Sequence, residues 1–140
     1  MKILQPAAVL IAWTLVMLGW MLATRLPALR AAGIRMGSLV GTKASDADRS
    51  LPAAAQWKAH NYNHLLEQPT LFYAVCGLLA LAGAGDEAGA VVLAWGYVVL
   101  RVAHSLVQAT VNKVKPRFLL FIASSACLVL LTVLALVQVF

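Results

Sequence analysis

Four long apolar segments, Ile3 to Leu22, Leu65 to Leu81, Ala88 to Val107 and Phe118 to Phe140, take up most of the chain and limit what it can become. Each approaches the roughly 20 residues that an α-helix needs to cross the hydrocarbon core of a bilayer, the second once Asn61 to Leu65 extends it. Apolar residues make up 62% of the sequence and charged ones 11%, against about a quarter charged in ordinary globular domains. The expected fold is therefore all-α, an integral membrane four-helix bundle. Its helices are expected at about 3–24, 61–83, 88–111 and 117–140, in one domain over 1–140, with a connecting loop at about 25–56.

Lys2 ahead of the first run also resembles the start of a secretory signal peptide. Trp13 and Trp20 interrupt that run, and Leu22-Ala23-Thr24 offers no small-x-small cleavage site, so an uncleaved first helix is expected. The net charge is +6. The basic residues border membrane segments rather than forming a nucleic-acid-binding module, which points to lipid headgroups and away from nucleic acid. Arg25, Arg30, Arg35, Lys43, Arg49 and Lys58 fall between the first two helices, and Lys113, Lys115 and Arg117 between the last two. Both connections should face the cytoplasm by the positive-inside rule. Lys2, the turn from Gly83 to Gly89 and Phe140 then face the opposite side.

Pro27, Gly33, Gly37, Gly41 and Pro52 should keep the first connection free of helix. It reads as a headgroup-facing loop whose arginines meet anionic lipid. Gly19 with Ala23 and Ala90 with Ala94 are spaced for close helix contact. Cys76 and Cys127 fall inside helices, where a thiol packs like an apolar group, and their spacing suggests no metal site.

The stretch from Asn61 to Tyr73, NYNHLLEQPTLFY, carries Glu67 into an apolar helix. Asp, Lys or Arg at the middle of a membrane helix costs about 2.5 to 3.5 kcal/mol on insertion scales, so such groups face protein or water. His60, Asn63, Glu67 and Thr70 share one helix face at spacings of three and four. Pro69 cannot donate to the carbonyl of Leu65, so the backbone there should bend or leave an acceptor free. On the third helix, Arg101, His104, Ser105, Gln108 and Asn112 fall within about a third of the circumference, opposite Val102, Ala103, Leu106, Val107 and Val111. The fourth helix opens after Pro116 with Arg117, and the same face continues through Phe121 and Ser124. Pairing Glu67 with Arg101 or Arg117 would lower their burial cost. A ligand site accounts for the cluster better than an ion pair that only fixes helix register, because buried pairs seldom stabilise more than apolar packing does. Taken singly, His104 reads as satisfying a neighbour and Arg117 as a snorkelling interfacial cation.

At these residues the chain resembles the membrane-associated proteins in eicosanoid and glutathione metabolism, the MAPEG family, in its bacterial type. The resemblance rests on four helices of matching length, on Asn63-His-Leu-Leu-Glu67-Gln-Pro69-x-x-Phe72, on Arg101-Val-Ala-His104 and on Arg117. It implies a homotrimer with glutathione as co-substrate, bound between subunits near the cytoplasmic side of a bacterial inner membrane. It also implies glutathione-binding roles for Asn63, Glu67, Arg101, His104 and Gln108, and a thiolate-stabilising, catalytic role for Arg117. Lys58 stands where relatives often have arginine, and Gln108 and Phe121 stand where hydroxyl-bearing residues are common.

The function implied is a glutathione transferase or peroxidase acting on a lipophilic electrophile that arrives through the bilayer. The competing reading is a non-catalytic membrane protein whose polar cluster binds lipid or stabilises an oligomer. A transporter fits less well, because four helices offer no discontinuous pair of half-helices.

Overall fold

The structure, a computed structural model, describes residues 1–35, 37, 39–41, 46 and 49–140; Lys43 of the first connection lies outside them. Among the described residues four long helices build it, α1 at Leu4–Ala31, α2 at Ala53–Leu81, α3 at Ala88–Thr110 and α4 at Val114–Val139. All four are long and apolar enough to cross a membrane.

Two boundaries differ from the sequence expectation. The first helix continues through Pro27 to Ala31. A proline withdraws a single N–H, while Leu26, Ala28, Leu29, Arg30 and Ala31 around it are strong helix formers. Gly33 then ends the helix at φ 71°, with the Ile34 N–H on the Leu29 carbonyl at 3.1 Å, the left-handed cap that glycine accepts most easily. The second helix begins at Ala53 rather than near residue 61, because Ala53-Ala54-Ala55-Gln56 directly after Pro52 favours helix. Arg25, Arg30 and Lys58 are thus helical. With 28 and 29 residues, α1 and α2 are about 42 to 44 Å long and exceed the roughly 30 Å hydrocarbon core. Lys58 lies over the Trp20 ring, 5.6 Å from its centroid, and ties the extension of α2 to α1.

The helices run up and down. α1 packs chiefly on α2 and α4 on α3, and contact between α2 and α3 joins the two hairpins. This topology brings both basic connections to one end. At the other end, Gly83 closes α2 at φ 84°. The Ile3 N–H donates to Gly85 O at 2.9 Å, and the Lys2 N–H to Asp86 Oδ1 at 2.7 Å. A Cβ on Gly85 would stand 3.1 Å from Ile3 Cγ2 and 3.2 Å from Ala80 Cα, so glycine lets the chain start seat on this turn without shifting either neighbour. The Lys2 N–H, with the N-terminal ammonium 3.4 Å away, holds the Asp86 carboxyl below its ordinary range.

The core is contributed by all four helices: Leu10 and Met17, Phe72 and Leu79, Ala94 and Tyr97, and Leu131 are fully buried. Phe72 stacks on Tyr97 with ring centroids 4.3 Å apart. Ala90 and Ala94 are buried at a helix contact as their spacing suggested, whereas Gly19 and Ala23 both face outward.

Candidate functional site

The polar stripe of α3 turns inward. Arg101, His104, Ser105 and Gln108 are each at most 5% exposed, while Leu106 and Val111 on the other face are exposed. In a bilayer both faces can be apolar on the outside, so burial of the polar face means that the bundle itself replaces water around these groups.

Arg101 reaches across to α2, where its Nη2 donates to the main-chain carbonyl of His64 at 3.1 Å. That carbonyl lies beside the turn that Pro69 loosens by withdrawing the donor for Leu65. The guanidinium also lies over the Phe121 ring, 5.7 Å from its centroid. Its Nε and Nη1 are buried without a hydrogen-bond partner among the described residues, as are His64 Nδ1, Gln108 Oε1 and Asn61 Oδ1. Buried polar groups are rarely left this way. Several such atoms within two turns of α2 and α3 mark a place where a polar ligand or water would complete the bonding.

Beside this cluster, His64 of α2, His104 of α3, and Val114, Arg117, Phe118 and Phe121 of α4 enclose a crevice of about 190 Å³. The two imidazole centroids are 5.5 Å apart, and both rings contact Phe121. Among the described residues, no carboxylate lines the crevice. Arg117 is half-buried and donates from Nη1 to Asn112 Oδ1.

Asn63 and Glu67 occupy a different place. Both are exposed on the outer face of α2, together with His60 and Thr70. Among the described residues, Glu67 forms no ion pair with Arg101 or Arg117, so the pairing suggested by their common membrane level does not occur within the chain. Leu65, Phe72, Cys76 and Leu79 occupy the core instead and turn the carboxylate outward. Of the sequence-derived candidates, one chain brings together Arg101, His104 and Arg117, with Gln108 buried a turn further along α3. It leaves Asn63 and Glu67 outside.

A model of the MAPEG family matches residues 3–137. The chain belongs to the MAPEG family. No curated protein and no solved structure matches it. MAPEG proteins are membrane helical bundles associated with glutathione and eicosanoid metabolism, and the four membrane-capable helices of this member agree with that class.

Two polar residues of this MAPEG bundle, Asn61 and His64, were not among the candidates drawn from the sequence. Ser105 Oγ accepts from Asn61 Nδ2 at 2.7 Å and from Trp13 Nε1 at 3.0 Å, which knots α1, α2 and α3 together beneath the crevice. Asn61 and His64 were visible only as members of a motif, because the Asn63–Glu67 face drew attention to the opposite side of α2. His64 could have been found from its position one turn before Gln68, whose Nε2 donates to Ser125 Oγ at 2.9 Å on the same seam between α2 and α4. Phe121 serves as the aromatic floor on which His64, His104 and Arg101 converge.

Proposed function

We propose that this MAPEG protein binds glutathione at the Arg117 crevice and acts as a glutathione transferase or peroxidase on a lipophilic electrophile. The observation that carries the reading is the crevice itself. Arg117, two histidines and the neighbouring Arg101, whose Nε and Nη1 lack partners, converge there with no acid among the described residues that line it. Such a surface suits a ligand with two carboxylates and an ionisable thiol. A free thiol has a pKa of about 8.5, and an adjacent cation lowers it. Arg117 is the residue for that task, and the thiolate so formed is the nucleophile. Arg101, His104 and Gln108 offer the buried donors and acceptor that would hold the peptide.

A homotrimer belongs to the same proposal. At about 190 Å³, the crevice is smaller than the roughly 300 to 1,000 Å³ of a complete small-molecule site. The exposed Asn63, Glu67 and Thr70 form a polar stripe that hydrocarbon would not solvate. A second copy covering that stripe would enlarge the site and bring Asn63 and Glu67 to the ligand. The lipophilic substrate would come from the bilayer, toward which α2 and α4 hold an apolar groove of about 480 Å³ between Gln68 and Val133. The basic end would face the cytoplasm, and both termini the opposite side of a bacterial inner membrane.

The decisive experiment combines glutathione-dependent thermal stabilisation of the detergent-solubilised protein with turnover of a general aromatic electrophile and of an organic hydroperoxide. A ligand that binds only the folded state raises the unfolding midpoint. No shift at millimolar glutathione together with no turnover would overturn the proposal.

A further inference from the structure

We infer that Asn112 is a positioning residue that holds the Arg117 guanidinium at the crevice while leaving its charge uncompensated. The inference rests on the proposed role of Arg117 beside the glutathione thiolate.

Asn112 ends α3 in the left-handed conformation, at φ 48°, which asparagine adopts more readily than most residues with a Cβ. Its N–H is fixed to the Val107 carbonyl at 2.7 Å. The backbone thereby fixes where its amide starts, and the side-chain oxygen accepts from Arg117 Nη1. Only Val111, Asn112 and Lys113 separate α3 from α4, so this bond closes the connection across its own span and sets the direction of the arginine.

The chemistry of the acceptor matters as much as its place. An amide oxygen occupies one of the five guanidinium N–H donors and leaves the rest for a ligand. A carboxylate in the same position would bond more strongly, but it would cancel the positive charge that lowers a neighbouring thiol's pKa. Asn112 also lines a second cavity of about 430 Å³ with Leu51, Ala53, Gln56, Trp57 and His60 at the basic end. The Asn112–Arg117 bond therefore lies between that cavity and the crevice.

The test follows the ultraviolet absorbance of protein-bound glutathione thiolate against pH, with glutathione affinity measured by calorimetry. It compares the wild type with Asn112→Asp and Asn112→Gly. Aspartate keeps the side-chain shape and the hydrogen bond while adding a charge, and glycine keeps the positive φ while removing the tether. Both should raise the apparent pKa of the bound thiol enough to cut the thiolate fraction about tenfold near neutral pH. The Asp variant should do so with an unchanged unfolding midpoint, which a purely structural role for Asn112 does not predict. An Asp variant that titrates like the wild type overturns the inference and leaves the proposed function standing. A wild type that binds no glutathione removes the proposed function, and the inference falls with it. Should the Gly variant fail to fold, the Asp variant alone decides.

Discussion

Arg101 on α3 donates a hydrogen bond to the main-chain carbonyl of His64 on α2, 3.1 Å away, five residues before the proline that loosens this helix. A buried arginine bound to a peptide carbonyl rather than to a carboxylate has no counter-ion to strand when it is removed. That changes the usual expectation for mutating a buried charge.

Arg101→Met should therefore keep the stability of the fold within about 1 kcal/mol of the parent, since apolar replacements of buried ionic groups are often neutral. The same variant should bind glutathione at least about tenfold more weakly, because a hydrogen bond to a charged group contributes about 1.5 to 3 kcal/mol. Thermal unfolding and calorimetry on one preparation separate the two effects. A large loss of stability with unchanged affinity would make Arg101 a structural residue.

Ser105 joins three helices through Asn61 and Trp13. Ser105→Ala would strand both donors, and a buried unsatisfied group costs about 1 to 3 kcal/mol. Asn61→Leu combined with Ser105→Ala should recover part of that loss, because the double change removes the stranded amide with its partner. Equilibrium unfolding of the two single variants and the double variant closes the cycle.

Phe72 is fully buried and stacked on Tyr97. Phe72→Ala should cost about 3 to 5 kcal/mol, as large-to-small core changes of this kind do. Phe72→Leu should cost less, since it retains most of the volume. The order of the unfolding midpoints checks this.

Glu67 faces outward near the middle of α2. In a lone chain, replacing it by leucine would relieve about 2.5 to 3.5 kcal/mol of insertion cost. In an assembled protein that uses the carboxylate across the interface, the same change should weaken association. Glu67→Leu is expected to shift the protein from oligomer toward monomer in native mass spectrometry. An oligomer unchanged by the substitution would place the contact elsewhere.

Asp86 accepts from the Lys2 N–H, which lowers its pKa in the folded chain. A depressed carboxylate pKa means that its contribution is complete above the unfolded value and is lost as pH falls through the folded one. Protection of the Lys2 amide should thus weaken only in strongly acidic solution, and Asp86→Asn should weaken it at neutral pH. Hydrogen exchange at that amide reads both. The carboxylate is exposed, so the global unfolding midpoint should barely move.

The inward face of α3 was legible in the sequence, because Arg101, His104, Ser105 and Gln108 are grouped at helical spacing and polar residues in a membrane helix turn toward protein. The face of α2 was not. That helix carries polar groups on two sides, Asn61, His64 and Gln68 on one and Asn63, Glu67 and Thr70 on the other. Its leucines are no guide, since Leu65 and Leu79 are buried while Leu66, Leu71 and Leu78 are exposed. In water an apolar side chain must turn inward, whereas in lipid it can turn either way.

From its sequence alone this protein was bound to be a bundle of four membrane helices with its basic connections at one end. Hydrocarbon admits only backbones that satisfy their own hydrogen bonds, and segment length fixes how many can cross. Which residues meet was decided by packing. Phe72 stacking on Tyr97 sets the rotation of α2, and that rotation carries His64 into the crevice with His104 and Arg117 while turning Glu67 outward. Asn112 joined Arg117 for a similar reason. A left-handed residue at the end of α3 aims its side chain in a direction that helical periodicity cannot express.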